Sequence, residues 1–157
     1  MITTYLFDLA RVLLFPKDTT YLGELNARYR ELKDRPGFEF FDHFVLNDAL
    51  LNYCRSIKNK KRLYVFTSGF IQNAPEIADI LKSVFEDIYS AEQLGLSKKK
   101  PDSYITIARK MNVEPSQILF TDDNSENIEA AKQAGLSVFL YSDYEKLKKQ
   151  FEEYLVD

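Results

Sequence analysis

A chain of 157 residues is long enough to bury one substantial core and short for two. Its 24 acidic and 21 basic side chains leave a formal net charge of -3, and no Lys/Arg stripe alternates with aromatic residues, which argues against nucleic acid as the primary ligand. The lone Cys54 cannot form an internal disulfide and reads as core, no cysteine or histidine cluster offers zinc ligands, and Met1 to Thr4 carry neither a basic leader nor a membrane span; a soluble protein of the reducing cytoplasm is expected.

The first apolar run, residues 5–7, reads as a strand and ends at Asp8. Residues 14–46 then break the rhythm as an insertion. Within it Tyr21, Leu22, Leu25 and Tyr29 have the spacing of a short helix, and Pro36-Gly37 precedes an aromatic-rich stretch, Phe38 to Phe44, that contains the single histidine, His43. The segment is too short for a core of its own and is expected to lie as a small lid or flap over a crevice. After the capping candidate Asn47, Leu50, Leu51, Cys54 and Ile57 form one helical face.

Further β-type runs follow at 63–66, 87–91, 118–122 and 137–141, separated by helical patterns. Ile77, Ile80, Leu81 and Val84 follow Pro75; Tyr104, Ile105, Ala108 and Met111 follow Pro101; Ile128, Ala131 and Ala134 end at Gly135. A charged amphipathic helix over 144–155 carries Leu147, Phe151 and Leu155 on one side. Strands alternating with helices predict an α/β fold with a parallel sheet, organised as one domain over 1–157.

In an open α/β sheet, ligands sit beyond the carboxyl ends of the strands, so acids that close two strands converge on one crevice. Asp8 ends the first run, and Asp122 and Asp123 end the run Ile118-Leu119-Phe120-Thr121. Such a trio suits Mg²⁺ and phosphoryl transfer. Asp8 is the candidate nucleophile, Asp123 the metal ligand and Asp122 a second or water-mediated one. Thr67 and Ser68, at the end of the second strand, are candidates for holding phosphate oxygens, and Lys100 for supplying positive charge. Arg11 is a further candidate for a substrate phosphate. His43 is a candidate replacement acid if the insertion folds over Asp8.

With these residues the chain resembles the haloacid dehalogenase superfamily of aspartyl phosphatases, in the branch whose lid lies between the first and second motifs. Leu6-Phe7-Asp8-Leu9-Ala10-Arg11-Val12-Leu13 is similar to the first motif, Val65-Phe66-Thr67-Ser68-Gly69 to the second and Lys100-Pro101-Asp102 to the third. The most specific match is the fourth, from Ile118 through Thr121-Asp122-Asp123 to Asn127 and Ala131, followed by Gly135. The resemblance implies a three-layer Rossmann-like fold with helices on both faces of a five-stranded parallel sheet of order 5-4-1-2-3. It also implies Mg²⁺ as cofactor and a phosphoaspartyl intermediate on Asp8. The metal ligands are then Asp8, Asp123, Asp122 and the backbone carbonyl of Ala10, with Asn127 supporting the site through a hydrogen bond.

Two departures qualify that implication. Ala10 stands where phosphatases of the family usually carry an Asp that protonates the leaving group and activates water. Alanine keeps the carbonyl and loses the acid, which predicts slow hydrolysis or a preference for good leaving groups. The insertion is also far shorter than the usual helical lid. The expected function is a Mg²⁺-dependent phosphatase for a small phosphate ester, as monomer or homodimer. The alternative is a weak or inactive relative that keeps the metal site as a binding or interaction module.

Overall fold

The computed structural model describes residues 1–156. Strand β1, Thr4–Phe7, is followed by the segment that interrupts the pattern: β2 (Leu14–Pro16), α1 (Leu25–Leu32), α2 (Phe40–His43) and β3 (Phe44–Leu46). The chain continues through α3 (Asp48–Ile57), β4 (Arg62–Thr67), α4 (Pro75–Val84), β5 (Asp87–Ser90), α5 (Ala91–Leu94) and α6 (Pro101–Met111). It closes with β6 (Ile118–Asp122), α7 (Ser125–Gln133), β7 (Ser137–Leu140) and α8 (Tyr144–Glu153). Among the described residues no helix is long and apolar enough to cross a membrane.

The sheet is parallel, in the order β5-β4-β1-β6-β7. Counted within this sheet alone the order is 3-2-1-4-5, which has the expected neighbours read from the other edge. The labels differ because the interrupting segment contributes β2 and β3, an antiparallel pair that the sequence pattern does not predict. Both are three residues long, too short to show a period.

Strand alternation divides the core in two. Tyr5, Phe7, Leu63, Val65 and Leu119 meet α3, α4 and α8 on one face. Leu6, Tyr64, Phe66, Ile118 and Phe120 meet α6 and α7 on the other. On the first face α8 docks through Phe151, whose ring lies 4.4 Å from that of Tyr5 and whose carbonyl accepts a 3.2 Å bond from the Tyr5 hydroxyl. Cys54 is wholly buried there, and burial pushes its thiol far above the ordinary range, so it behaves as a core residue.

Helix starts follow the expected signals. Asn47 Oδ1 accepts from Leu50 N at 3.2 Å, Pro75 and Pro101 occupy first turns, and Gly135 has a positive φ of 94° after α7. The short helix expected from Tyr21 onward begins instead at Leu25. Asp18 explains the delay: its Oδ1 accepts from Thr20 N at 2.9 Å and its carbonyl from Tyr21 N at 3.1 Å, which ties residues 18–21 into a turn. Leu22 consequently stands 90% exposed. Tyr29 of α1 packs edge-on against Phe40 and Phe44, so the aromatic stretch fills a small extension of the first core.

Candidate active site

Pairing of Phe7 with Thr121 across β1 and β6 brings the next residues, Asp8 and Asp122, side by side at the carboxyl ends of the strands. Both follow residues of the second core face, Leu6 and Phe120, so both side chains emerge on the α6–α7 side of the sheet. Asp123 adds a third carboxylate, and one oxygen from each of the three lies within 4.8 Å of the others. Asp8 and Asp122 are buried, whereas Asp123 is exposed to the cleft.

A buried ammonium joins them. Lys98 Nζ lies 2.7 Å from Asp8 Oδ1 and 2.8 Å from Asp122 Oδ2, with its side chain only 4% exposed. It sits 5.5 Å from the ring centres of both Phe66 and Phe120, so its stem and charge use the same aromatic face that positions the acids. Tyr104 of α6 fixes the segment from below by donating a 2.6 Å hydrogen bond to the Lys98 carbonyl.

The remaining bonds orient each carboxylate. Asp8 Oδ1 also accepts from Leu9 N at 2.8 Å, which leaves its Oδ2 outside these bonds. Asp122 Oδ1 accepts from Asn124 N at 2.8 Å, and its Oδ2 from Asn127 Nδ2 at 3.1 Å. Asn124 in turn caps α7, accepting from Glu126 N and Asn127 N. The capping residue thus sets the helix that carries Asn127 back to Asp122.

Three carboxylates against one ammonium leave an excess of two negative charges when all are ionised. Burial pushes Asp8 up from the ordinary 3.8 to about 7, opposed by Lys98 and reinforced by Asp122. Burial and Asp122 together raise Asp123 to about 6. Burial works against the charge on Lys98, but Asp8 and Asp122 outweigh it and hold its pKa above the ordinary lysine value. An all-oxygen donor set with this charge fits a hard divalent cation such as Mg²⁺.

The raised pKa values have a definite sign for stability. Between about pH 4 and 7 the folded protein keeps protons that the unfolded chain has released, so these groups' contribution to stability falls as pH rises through that window. A cation requires the deprotonated acids, so its stabilisation grows over the same range. The rise in thermal midpoint caused by Mg²⁺ is therefore expected to be at least about twice as large at pH 8 as at pH 5.5. Equal shifts at both pH values, in thermal melts with and without the metal, would show that the three acids do not bind it.

Not every expected residue reaches the site. Lys100 precedes the first turn of α6, is exposed, and lines a separate depression with Gly95 and Thr106; Lys98, two residues earlier, occupies the place expected for it. In the run Lys98-Lys99-Lys100 residue type cannot distinguish the three. Gly95 at φ +66° ends α5, and the Tyr104 bond draws the first lysine inward; Lys99 pairs instead with Glu126 at the surface. Thr67 is 1% exposed in β4 and follows Val65 onto the first core face, while exposed Ser68 lines the cleft. Arg11 lines it too, but its Nη2 is bound to the carbonyls of Tyr21 at 3.1 Å and Gly23 at 2.7 Å. Ala10 is at the cleft. His43 is not among the cleft-lining residues; its ring stacks on Phe38 at 5.5 Å.

Two residues of the interrupting segment were missed in the sequence. Asn26 Oδ1 accepts from Phe70 N at 2.8 Å and Ile71 N at 2.9 Å, bracing the turn after β4 that presents Ser68. Gly69 leaves room for this amide, since a Cβ there would lie 2.5 Å from Asn26 Cγ and displace the side chain. Glu24, an exposed residue, lines the cleft. An Asn on a short polar helix, or a Glu directly before one, carries no signature, and the amides that Asn26 binds are more than forty residues away.

A family model described as haloacid dehalogenase-like hydrolase matches residues 11–135. The chain is 32% identical over 107 residues to an enolase-phosphatase of Methylococcus capsulatus, covering 65% of this chain and 46% of that protein. It is 28% identical over 128 residues to the D-ribitol-5-phosphate phosphatase of Bacteroides thetaiotaomicron, covering 75% and 61% respectively. The chain thus spans about half the length of these curated relatives. A HAD-like hydrolase structure from Porphyromonas gingivalis superposes with TM-score 0.71 at 16% identity, covering 100% of this chain and 99% of that one. The magnesium complex of a HAD family enzyme from Bacteroides thetaiotaomicron gives 0.69 at 16%, covering 94% and 98%. At such identities these structures establish a shared fold.

Proposed function

Because the chain belongs to the haloacid dehalogenase-like hydrolases, we propose that it is a Mg²⁺-dependent phosphatase acting on a small phosphate ester through Asp8. The observation that carries this reading is the buried Lys98 bridging Asp8 and Asp122, with Asp123 completing a trio of acids at the mouth of one cleft. Asp8, Asp122, Asp123 and the Ala10 carbonyl are the residues that would hold the cation. Bound there, Mg²⁺ supplies the positive charge that lets a carboxylate and a phosphate dianion approach. We read residues 14–46 as a short cap on a single domain.

In the reaction so proposed, a carboxylate oxygen of Asp8 bonds to phosphorus as the ester P–O bond breaks, and the leaving alkoxide takes a proton from water. A second water then attacks the phosphorus of the acyl phosphate, releasing inorganic phosphate, a proton and free Asp8. Lys98 and the Leu9 N–H hold Asp8 Oδ1, so Oδ2 is assigned as the attacking atom. Ser68 is assigned to the phosphate oxygens, with Thr67 supporting the end of β4; Lys98 takes the charge-stabilising role expected of Lys100.

The test is Mg²⁺-dependent release of phosphate from an activated aryl phosphate, whose leaving group needs no acid. Ala10 favours a second reading, a binding module that keeps the site without turnover. A folded protein that gains thermal stability with Mg²⁺ yet releases no phosphate would establish it. For the phosphatase, Ala10→Asp is expected to raise the rate on an unactivated alkyl phosphate by about ten- to a hundredfold, and on the aryl phosphate far less. Equal gains on both substrates would remove the account of Ala10 as a missing acid.

A further inference from the structure

The cleft, of about 230 Å³, has one wall built by the acids and another built by the interrupting segment. That second wall is fixed at both ends. Arg11, held at φ 62°, reaches across to the carbonyls of Tyr21 and Gly23, and Asn26 reaches back to the amides of Phe70 and Ile71. Between these two anchors lies Glu24, directly before α1. Its carboxylate has no hydrogen-bond or ion-pair partner among the described residues, although Arg28 and Arg30 are close in sequence. Those arginines pair with Glu31 and Glu92. Glu24 is exposed at the cleft, and with no cation among the described residues paired to it the carboxylate is available to whatever occupies the cleft.

We propose that Glu24 is a specificity-determining residue for the alcohol part of the substrate, accepting hydrogen bonds from hydroxyls of a small polyol phosphate and turning away phosphorylated carboxylic acids. The inference rests on the phosphatase reading above. Among the described residues lining the cleft none is aromatic, so no ring is offered for a nucleoside base to stack on. Asn26 adds a small polar side chain at the same wall. The cationic side chain that lines it, Arg11, already spends Nη2 on backbone carbonyls, so a carboxylate on the substrate would meet Glu24 without a matching fork. A short hydrogen-bonded wall, in place of the longer helical lid, then confers selectivity by charge and hydrogen bonding.

The experiment compares kcat/KM for glycerol 3-phosphate and 2-phosphoglycolate, substrates of similar size that differ in hydroxyls against a carboxylate. Each is measured with Mg²⁺ in the full chain and normalised to the same variant's turnover of the activated aryl phosphate. Wild type is expected to favour the glycerol ester by about tenfold, Glu24→Gln to bring the ratio near unity, and Glu24→Lys to invert it. A purely structural role would lower both substrates together and leave the ratio in place. An unmoved ratio in both variants, or a wild type that favours the acid, overturns the role of Glu24 while aryl phosphate turnover leaves the phosphatase standing. Absence of wild-type turnover of the aryl phosphate overturns both.

Discussion

Asp8→Asn is expected to lower aryl phosphate turnover by at least about a thousandfold, because the amide cannot form the acyl phosphate that carries the phosphoryl group. The fold should survive the change. Asn has the shape of Asp and retains an oxygen for Leu9 N and Lys98 at the positions now 2.8 and 2.7 Å away. It also removes a carboxylate that burial holds at about 7. Above that pH wild type must keep the buried charge ionised, so the metal-free variant is expected to melt at or above the wild-type midpoint at pH 8, with a smaller response to Mg²⁺. Parallel kinetics and melts of the two proteins check both statements. Turnover that persists in the variant would place the nucleophile elsewhere, and a fall in the metal-free midpoint would show that Asp8 stabilises the fold through its charge.

Lys98→Met separates the lysine that the structure brings to the acids from the one that the motif suggested. Methionine preserves most of the stem that packs between Phe66 and Phe120, so the loss is chiefly that of charge. Removing one partner from a buried ion pair leaves carboxylates unsatisfied, at a cost of about 3 kcal/mol or more. The loss should be largest at pH 8 and smaller at pH 6, where Asp8 can take up a proton instead. Aryl phosphate turnover should fall by at least about a hundredfold, the scale of losing one preorganised electrostatic partner. Lys100→Met, at an exposed position, should change stability by less than about 0.5 kcal/mol and leave turnover near wild type. Denaturation at the two pH values and initial rates decide the matter. Equal effects from the two substitutions would mean that the Lys98 bridge contributes neither stability nor catalysis.

The main sheet was legible because its signals are local. A buried parallel strand reads as an apolar run, an amphipathic helix as a 3.6-residue period, and Pro75, Pro101 and Gly135 mark boundaries through backbone constraints each residue carries with it. Asp8, Asp122 and Asp123 were legible for the same reason: each lies at a strand end, and parallel strands place their ends together. The interrupting segment was less so. Its helix starts at Leu25 because a turn at Asp18 competes with the apolar spacing, and its two strands are too short to show a period.

What depended on tertiary structure was which member of a set of equivalent residues enters the site. Lys98, Lys99 and Lys100 share type and neighbourhood, and the choice among them follows from the Tyr104 hydroxyl and the gap between two aromatic rings contributed by β4 and β6. Thr67 and Ser68 are likewise adjacent hydroxyls separated by the pleat, which turns one into the core and the other to the cleft. Arg11 and Asn26 fix another wall of the cleft, which Glu24 also lines, through bonds that span up to 45 residues. Sequence alone determined that three acids meet at the end of a parallel sheet, because strand polarity and apolar pattern are properties of short segments. The tertiary structure alone decided which cation joins them and what faces them, because those depend on burial and on distances between segments remote along the chain.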